Sequence, residues 1–295
     1  MNPTNPVSVF HNLAQVSGAS VLALVVVHSV TFVIGRRIGR YNVVDVAWGV
    51  GFVAVAAVAA ALGHGDPTRR WLLLALVAIW GLRLSWHIQR KTAGKGEDPR
   101  YAALLRDATP ALGARPQREV PPPACGGVLR KVFLLQGSIT WFVSFPLQLS
   151  AVTGPTPKPL TAVTVLGVAV WLVGVTFEAV GDWQLRVFKS DPANRGAVMD
   201  RGLWAWTRHP NYFGDAAVWW GLWLITINGW LSLATVASPL LMTYFLVYVT
   251  GARLTEKLMA GRPGFEEYKS RTAFFFPRPP RHVDNHRRHS GNGGR

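Results

Sequence analysis

Seven apolar runs divide this chain, near residues 17–34, 43–62, 71–88, 132–149, 160–180, 216–231 and 233–250. Several reach the roughly 17–25 residues that a helix needs to cross the hydrocarbon layer of a bilayer. Water is absent there, so the backbone of each run must satisfy its own N–H and C=O groups, which a helix does. Charged residues make up 16% of the chain, well below the roughly 25% usual in soluble domains. The expected fold is therefore all-α: a polytopic membrane helix bundle of about seven spans in one domain over residues 1–278. A disordered basic tail is expected over 279–295. The sixth run is short, and a turn around Asn228-Gly229 predicts that it pairs with the seventh as a hairpin.

The formal charge of +16 invites a nucleic-acid reading, but the placement of the basic residues argues for topology instead. With the N-terminus outside, 27 of the 31 Lys and Arg fall on one side of the membrane. They occupy the short loop with Arg36, Arg37 and Arg40, the loop over 89–131, the loop over 181–215 and the tail from Arg253. Only Arg69, Arg70 and Lys158 fall on the other side, and Arg83 lies within the third run. An excess of Lys and Arg marks cytoplasmic segments. The expectation is a C-terminus in the cytoplasm, a bacterial inner membrane, contact with membrane lipids and no nucleic acid. No protein partner can be inferred. The first run has no basic segment before it, so no cleavable signal peptide is expected. A lone Cys125 excludes an internal disulfide and offers little to zinc, and the tail histidines His282, His286 and His289 are irregularly spaced, so no metal site is expected.

The stretch Gly202-Leu203-Trp204-Ala205-Trp206-Thr207-Arg208-His209-Pro210-Asn211-Tyr212-Phe213-Gly214-Asp215 opens the sixth run. Each polar group there costs several kcal/mol in hydrocarbon unless it has a partner or faces water. Interfacial anchoring accounts for the Trp and Tyr residues but not for Asn211 and Asp215. Other runs place polar groups at the same cytoplasmic level. Asp45 opens the second run after Tyr41 and Asn42, and Arg83, His87 and Arg90 end the third. Glu178, Asp182, Arg186 and Lys189 form one helical stripe at the end of the fifth, and Arg253 and Glu256 follow the seventh. Long basic side chains snorkel from helix ends, whereas carboxylates do so poorly. A shared polar crevice explains why Asp45, Glu178, Asp182, Asp215 and Glu256 recur at one depth.

The chemistry of these groups suits a phosphorylated aromatic cofactor. Arg186, Lys189 and Arg208 can hold phosphate, an Arg in bidentate fashion. Asn211, Asp215 and Glu256 can bond an amide or a ribose, and Trp204, Trp206 and Tyr212 can stack on a flat ring. A salt bridge within the set, such as Asp182 with Arg186, is the competing explanation for each residue alone. No glycine-rich dinucleotide fingerprint or Walker loop occurs, so a soluble Rossmann domain is not expected.

Gly202-Leu203-Trp204, Arg208-His209-Pro210-Asn211-Tyr212 and Gly214-Asp215 together resemble the C-terminal signature of the sterol reductases and steroid 5-alpha-reductases. Glu178-x-x-x-Asp182-x-Gln184, Glu256, and Phe265-Glu266-Glu267-Tyr268 up to Pro277 extend the resemblance, which is strongest over about 170–278. The N-terminal half resembles the group through hydropathy, Asn42-x-x-Asp45-x-x-Trp48 and Glu97-Asp98-Pro99-Arg100-Tyr101. The likeness is to an uncharacterised bacterial branch. It implies NADPH held in a cytoplasm-facing pocket and reduction of a carbon–carbon double bond in a lipid such as a steroid, sterol, prenyl or unsaturated acyl chain. By that resemblance Asn211, Asp215, Asp182, Arg186, Lys189 and Trp204 are expected cofactor residues, and Arg208, His209, Tyr212 and Glu256 complete the expected set. The last span departs from the family's His-rich pattern, with Arg253-Leu254-Thr255-Glu256-Lys257 in its place.

Hydride transfer to an alkene requires an acid that polarises a substrate oxygen. Asp45, His87 and Tyr41 are the candidates. Asp45 has an alternative role as a helix cap or as a salt-bridge partner of Arg83 or Arg90. Isoprenylcysteine carboxyl methyltransferases and phospholipid methyltransferases share an Arg-His-Pro-x-Tyr-x-Gly element and a distal Glu, so methyl transfer from S-adenosylmethionine is the second expectation. A non-catalytic lipid-binding protein is the third.

Overall fold

A computed structural model describes residues 6–96 and 129–280. The Glu97–Tyr101 motif, Cys125, most of the loop over 92–130 and the tail from Arg281 lie outside the described residues. Among the described residues the secondary structure is helical, without strands.

Three helices open the chain: α1 (Pro6–Ile38), α2 (Val43–Leu62) and α3 (Pro67–Thr92). A π-helical turn (Leu129–Leu134) leads into α4 (Leu135–Val143) and α5 (Phe145–Val152), and a 3-10 turn into α6 (Thr161–Ser190). The chain continues through α7 (Leu203–Trp206), α8 (Pro210–Thr226), α9 (Trp230–Leu233) and α10 (Ala237–Tyr244). After a second π-helical turn (Phe245–Val249) come α11 (Ala252–Met259) and α12 (Phe265–Arg271). Among the described residues, five helices or helix runs are long and apolar enough to cross a membrane: Pro6–Ile38, Val43–Leu62, Pro67–Thr92, Lys158–Ser190 and Trp230–Met259. A sixth is counted if Val132–Val143 and Phe145–Val152, bent by 43°, form one span. Proline at the second position of α5 removes a backbone donor where the helix would otherwise continue, which accounts for the bend at Ser144. The sixth apolar run is α8, which at 17 residues is shorter than these spans. It ends before Asn228-Gly229, where the hairpin turn was expected. Trp220 Nε1 donates to Thr243 Oγ1 at 3.1 Å and Trp223 Nε1 to the Ser232 carbonyl at 3.3 Å, so the chain folds back on itself there.

The structure divides into two compact units. The first comprises Met1–Val165 and Leu222–Ser238. Its centre is α2, packed on α1 and α3, with Phe52 and Trp80 fully buried and their ring centroids 5.6 Å apart. Glycines let α2 and α3 approach closely: a Cβ on Gly49 would lie 2.1 Å from the Gly81 carbonyl oxygen. Asp66 caps α3 by accepting from the Arg69 backbone N–H at 2.8 Å, with proline at the first helical position. The buried Arg69 guanidinium donates to Ser150 Oγ (2.7 Å), Thr156 Oγ1 (2.9 Å) and the carbonyls of Ser150, Thr153 and Gly154. These acceptors cluster at the C-terminal end of α5, where unpaired carbonyls attract a cation.

The second unit comprises Leu166–Gly221 and Pro239–Arg295. Helices α6 and α8 cross on glycines seven residues apart, Gly167, Gly174 and Gly181 on one and Gly214 and Gly221 on the other. A Cβ on Gly214 would sit 2.4 Å from the Glu178 backbone nitrogen, and one on Gly221 2.6 Å from that of Trp171. Small residues of this kind let membrane helices touch backbone to backbone. The crossing brings Gly181 against Pro210 and Asn211, at the start of α8.

Candidate functional site

The Arg-His-Pro segment is held by hydrogen bonds on both sides. Gly202 adopts φ +59, and a Cβ there would fall 2.3 Å from the Gln184 amide, so a side chain is excluded twice over. Gln184 Oε1 instead accepts from the Leu203 backbone N–H at 3.0 Å. Trp204 Nε1 donates to the Gly181 carbonyl at 3.0 Å, and Tyr268 donates its hydroxyl to the Trp204 carbonyl at 2.6 Å. Burial pushes the Tyr268 hydroxyl well above its ordinary pKa, so it stays a donor. On the other flank the Arg208 N–H donates to the Ala273 carbonyl at 2.9 Å, the Arg278 N–H to the Trp206 carbonyl at 3.0 Å, and Thr207 Oγ1 to the Phe275 carbonyl at 2.8 Å. The chain after α12 thus lies alongside residues 206–208.

Glu256 joins this segment to α11. Its Oε1 accepts from Arg208 Nε at 2.6 Å and from His209 Nε2 at 3.2 Å. Arg208 also donates through Nη1 to the carbonyls of Lys269 (3.1 Å) and Thr272 (2.7 Å). The His209 ring lies at 5.8 Å on Tyr212 and edge-on to Phe274 at 5.4 Å. Burial lowers the His209 pKa below 6.5, against the pull of its bond to Glu256, with Arg208 adding to the lowering. The unfolded chain therefore takes up a proton that the folded one resists. Stability is expected to be complete above about pH 6.5 and to fall as the pH drops below it. Thermal unfolding of the protein and of His209→Gln between pH 5 and 8 checks this, with the variant showing the shallower acid dependence.

A partly open cavity of about 440 Å³ adjoins this cluster. That size lies within the range of small-molecule sites. Five of the expected cofactor residues line it: Lys189, Trp204, Arg208, His209 and Glu256. Arg195, Arg262, Tyr268, Phe265 and Asp191 also line it. Asp182, Arg186, Asn211, Tyr212 and Asp215 do not. Asp182 and Asn211 meet instead, with Asn211 Nδ2 donating to Asp182 Oδ1 at 3.2 Å. Asp215 is buried one turn further along α8, and Glu178 is buried on α6. The expected stripe on α6 divides because α8 begins opposite Gly181. Glu178 and Asp182 are covered, whereas Arg186 and Lys189 lie past that crossing and are exposed.

Of the candidate acids, Asp45 sits half-buried in the first turn of α2, a position favourable to a carboxylate. His87 is half-buried on α3, and half-buried Tyr41 stacks on Phe32 with centroids 6.1 Å apart. All three belong to the first unit, and the residues around the cavity to the second. No group of three or more His, Cys, Asp or Glu among the described residues is arranged to hold a metal ion.

Sequence reasoning passed over Arg195 and Arg262, which come from loops without periodicity. Tyr268 was legible only as part of a motif, although Phe265 and Tyr268 stand one helical turn apart behind Gly264 at φ +77.

No curated protein and no solved structure gives a match to the chain. Residues 31–272 match the family described as protein of unknown function DUF1295, and the chain belongs to that family.

Proposed function

We propose that the protein is an NADPH-dependent membrane reductase that saturates a carbon–carbon double bond in a hydrophobic lipid. The observation that supports this is the lining of the cavity in the second unit. Lys189, Arg195, Arg208 and Arg262 bring four cationic side chains to one site beside the Trp204 ring. That donor set fits a ligand with several phosphates and a flat ring. When bound, NADPH supplies a hydride to the alkene. The protein's part is to hold the cofactor, to polarise the alkene through an acid bonded to a substrate oxygen, and to deliver a proton to the neighbouring carbon. Asp45, His87 and Tyr41 are the side chains proposed for that acid. The topology that goes with this reading counts α8 and the bent α4–α5 pair among seven crossings. It puts the N-terminus outside and the basic loops and cofactor site in the cytoplasm of a bacterial cell.

One observation favours methyl transfer from S-adenosylmethionine as the second reading. Arg208, His209 and Glu256 form a single bonded cluster, and the methyltransferases pair the same Arg-His-Pro element with a distal Glu. S-adenosylmethionine has no phosphates, so the basic lining gives the preference to NADPH.

Purified protein in detergent is expected to bind NADPH saturably, as read by nucleotide fluorescence and thermal shift. Substituting Lys189→Ala and Arg262→Ala together is expected to weaken binding about tenfold or more. Stabilisation by S-adenosylmethionine alone replaces the reductase with a methyltransferase. Binding of neither ligand removes both.

A further inference from the structure

The chain carries no charged residue between Asp215 and Arg253. Arg253 is thus the charge at which this apolar stretch meets the headgroup level of a bilayer. The local build folds it back onto the stretch. In the π-helical turn before α11 the Thr250 N–H donates to the Phe245 carbonyl at 3.0 Å. Gly251 follows, where a Cβ would lie 2.0 Å from the Leu246 carbonyl oxygen, so a side chain is excluded. α11 starts at once, and its Arg253 guanidinium lies over the Tyr248 ring at 4.6 Å. Tyr248 in turn stacks on Tyr244, with centroids 5.5 Å apart, and Leu240 stands one turn before Tyr244. All three present more than half of their surface. The result is an exposed apolar and aromatic strip with an arginine at its end.

Lys257 follows Arg253 one turn on along the exposed face of α11. Glu256 turns the other way, to Arg208 and His209. Among the described residues neither cation makes a hydrogen bond or an ion pair. A like-charged pair at this spacing is unfavourable by itself, and an anion between the two relieves it. The Tyr248 ring covers one face of the guanidinium and leaves its N–H edge open, the edge that forks onto a phosphate.

We propose that Arg253 and Lys257 hold the headgroup of an anionic phospholipid whose acyl chain runs along Tyr248, Tyr244 and Leu240. Arg253 forks the phosphate above Tyr248, and Lys257 answers the net negative charge of the headgroup. A zwitterionic lipid carries its own ammonium, which Lys257 repels. The site lies in the second unit and does not depend on the cofactor reading. α11 carries the lipid on one face and Glu256 on the other, so bound lipid steadies the helix that orients Arg208.

The test is native mass spectrometry of the full-length protein in detergent, titrated with phosphatidylglycerol and with phosphatidylcholine. Phosphatidylglycerol is expected to bind about fivefold tighter or more. Arg253→Gln is expected to lower its affinity about five- to tenfold, and Lys257→Gln about fivefold together with most of the preference over phosphatidylcholine. Arg37→Gln removes the same charge from the basic end of α1 and is expected to change affinity by less than about twofold. Glycerol phosphate at millimolar concentration offers the phosphate without the chains and is expected not to displace the lipid. The substituted side chains are exposed, so the thermal transition without lipid is expected to match the parent, and phosphatidylglycerol is expected to raise it in the parent but not in Arg253→Gln. Equal affinity for the two lipids, an equal loss in Arg37→Gln, or displacement by glycerol phosphate overturns the proposal.

Discussion

Replacing Arg69 with leucine is expected to destabilise the protein by about 3–5 kcal/mol. The arginine adds a second donor to carbonyls that each have another: Ser150 from Thr153, Thr153 from the Asp66 N–H and Gly154 from Asn228 Nδ2. Three carbonyls, from Ser150, Thr153 and Gly154, point at its Nη2, and two hydroxyls receive its Nε and Nη1. At 4% exposure, water does not replace these bonds when the guanidinium is removed. Leucine would remove all of these buried bonds at once and leave each carbonyl at the end of α5 with only its other donor, so part of its bonding capacity stays buried and unmet. Lysine separates two contributions, since it keeps the charge near the helix C-terminus but offers a compact ammonium in place of the planar fork. Arg69→Lys is therefore expected to lose about half as much as Arg69→Leu, roughly 2 kcal/mol. Thermal and denaturant unfolding in detergent, followed by circular dichroism, measures both. A leucine variant within about 1 kcal/mol of the parent would mean that the acceptors are solvated and that Arg69 staples nothing.

The helices of this chain were legible because hydrocarbon permits few alternatives. Runs of apolar residues marked α1, α2, α3 and α6, and the break at Asn228-Gly229 marked the turn after α8. The count of spans was less secure for local reasons. Pro146 splits one run into two bent helices, and α8 is short. The polar cluster over 202–215 also stood out, since its cost in lipid requires partners. Periodicity correctly put Glu178, Asp182, Arg186 and Lys189 on one stripe of α6. It carried no information about where a neighbouring helix starts, and the start of α8 opposite Gly181 decides which of them are buried. The glycine spacing on α6 and α8 was present in the sequence and would have located the crossing. Arg195 and Arg262 left no such trace, because loop residues reach a cavity through backbone turns that have no repeat.

Breaking the Arg208–Glu256 pair is expected to have the largest effect in the second unit, and a double-mutant cycle exposes its origin. The pair is mostly covered, with 12% of the Arg208 side chain and 20% of the Glu256 side chain exposed. Removing one partner of such a pair leaves the other charge poorly solvated, so Glu256→Leu alone is expected to cost about 3 kcal/mol. Arg208→Met loses in addition the bonds to the Lys269 and Thr272 carbonyls, and is expected to cost about 4 kcal/mol. The double variant is expected to be less unstable than the sum of the two by about 2 kcal/mol, since it leaves neither charge stranded. Glu256→Gln preserves an acceptor for Arg208 Nε without the charge, and its loss is expected to fall near 1–2 kcal/mol. These are changes in stability, and ligand affinity separates a second role. Arg208 lines the cavity, while Glu256 and the two carbonyls fix the direction of its guanidinium. If that direction serves a phosphate, Glu256→Gln weakens NADPH binding about tenfold in a protein that remains folded, and Arg208→Lys fails to restore it because an ammonium has no fork. Additive costs in the cycle, with nucleotide affinity unchanged in the Gln variant, would reduce the cluster to two separate surface contacts.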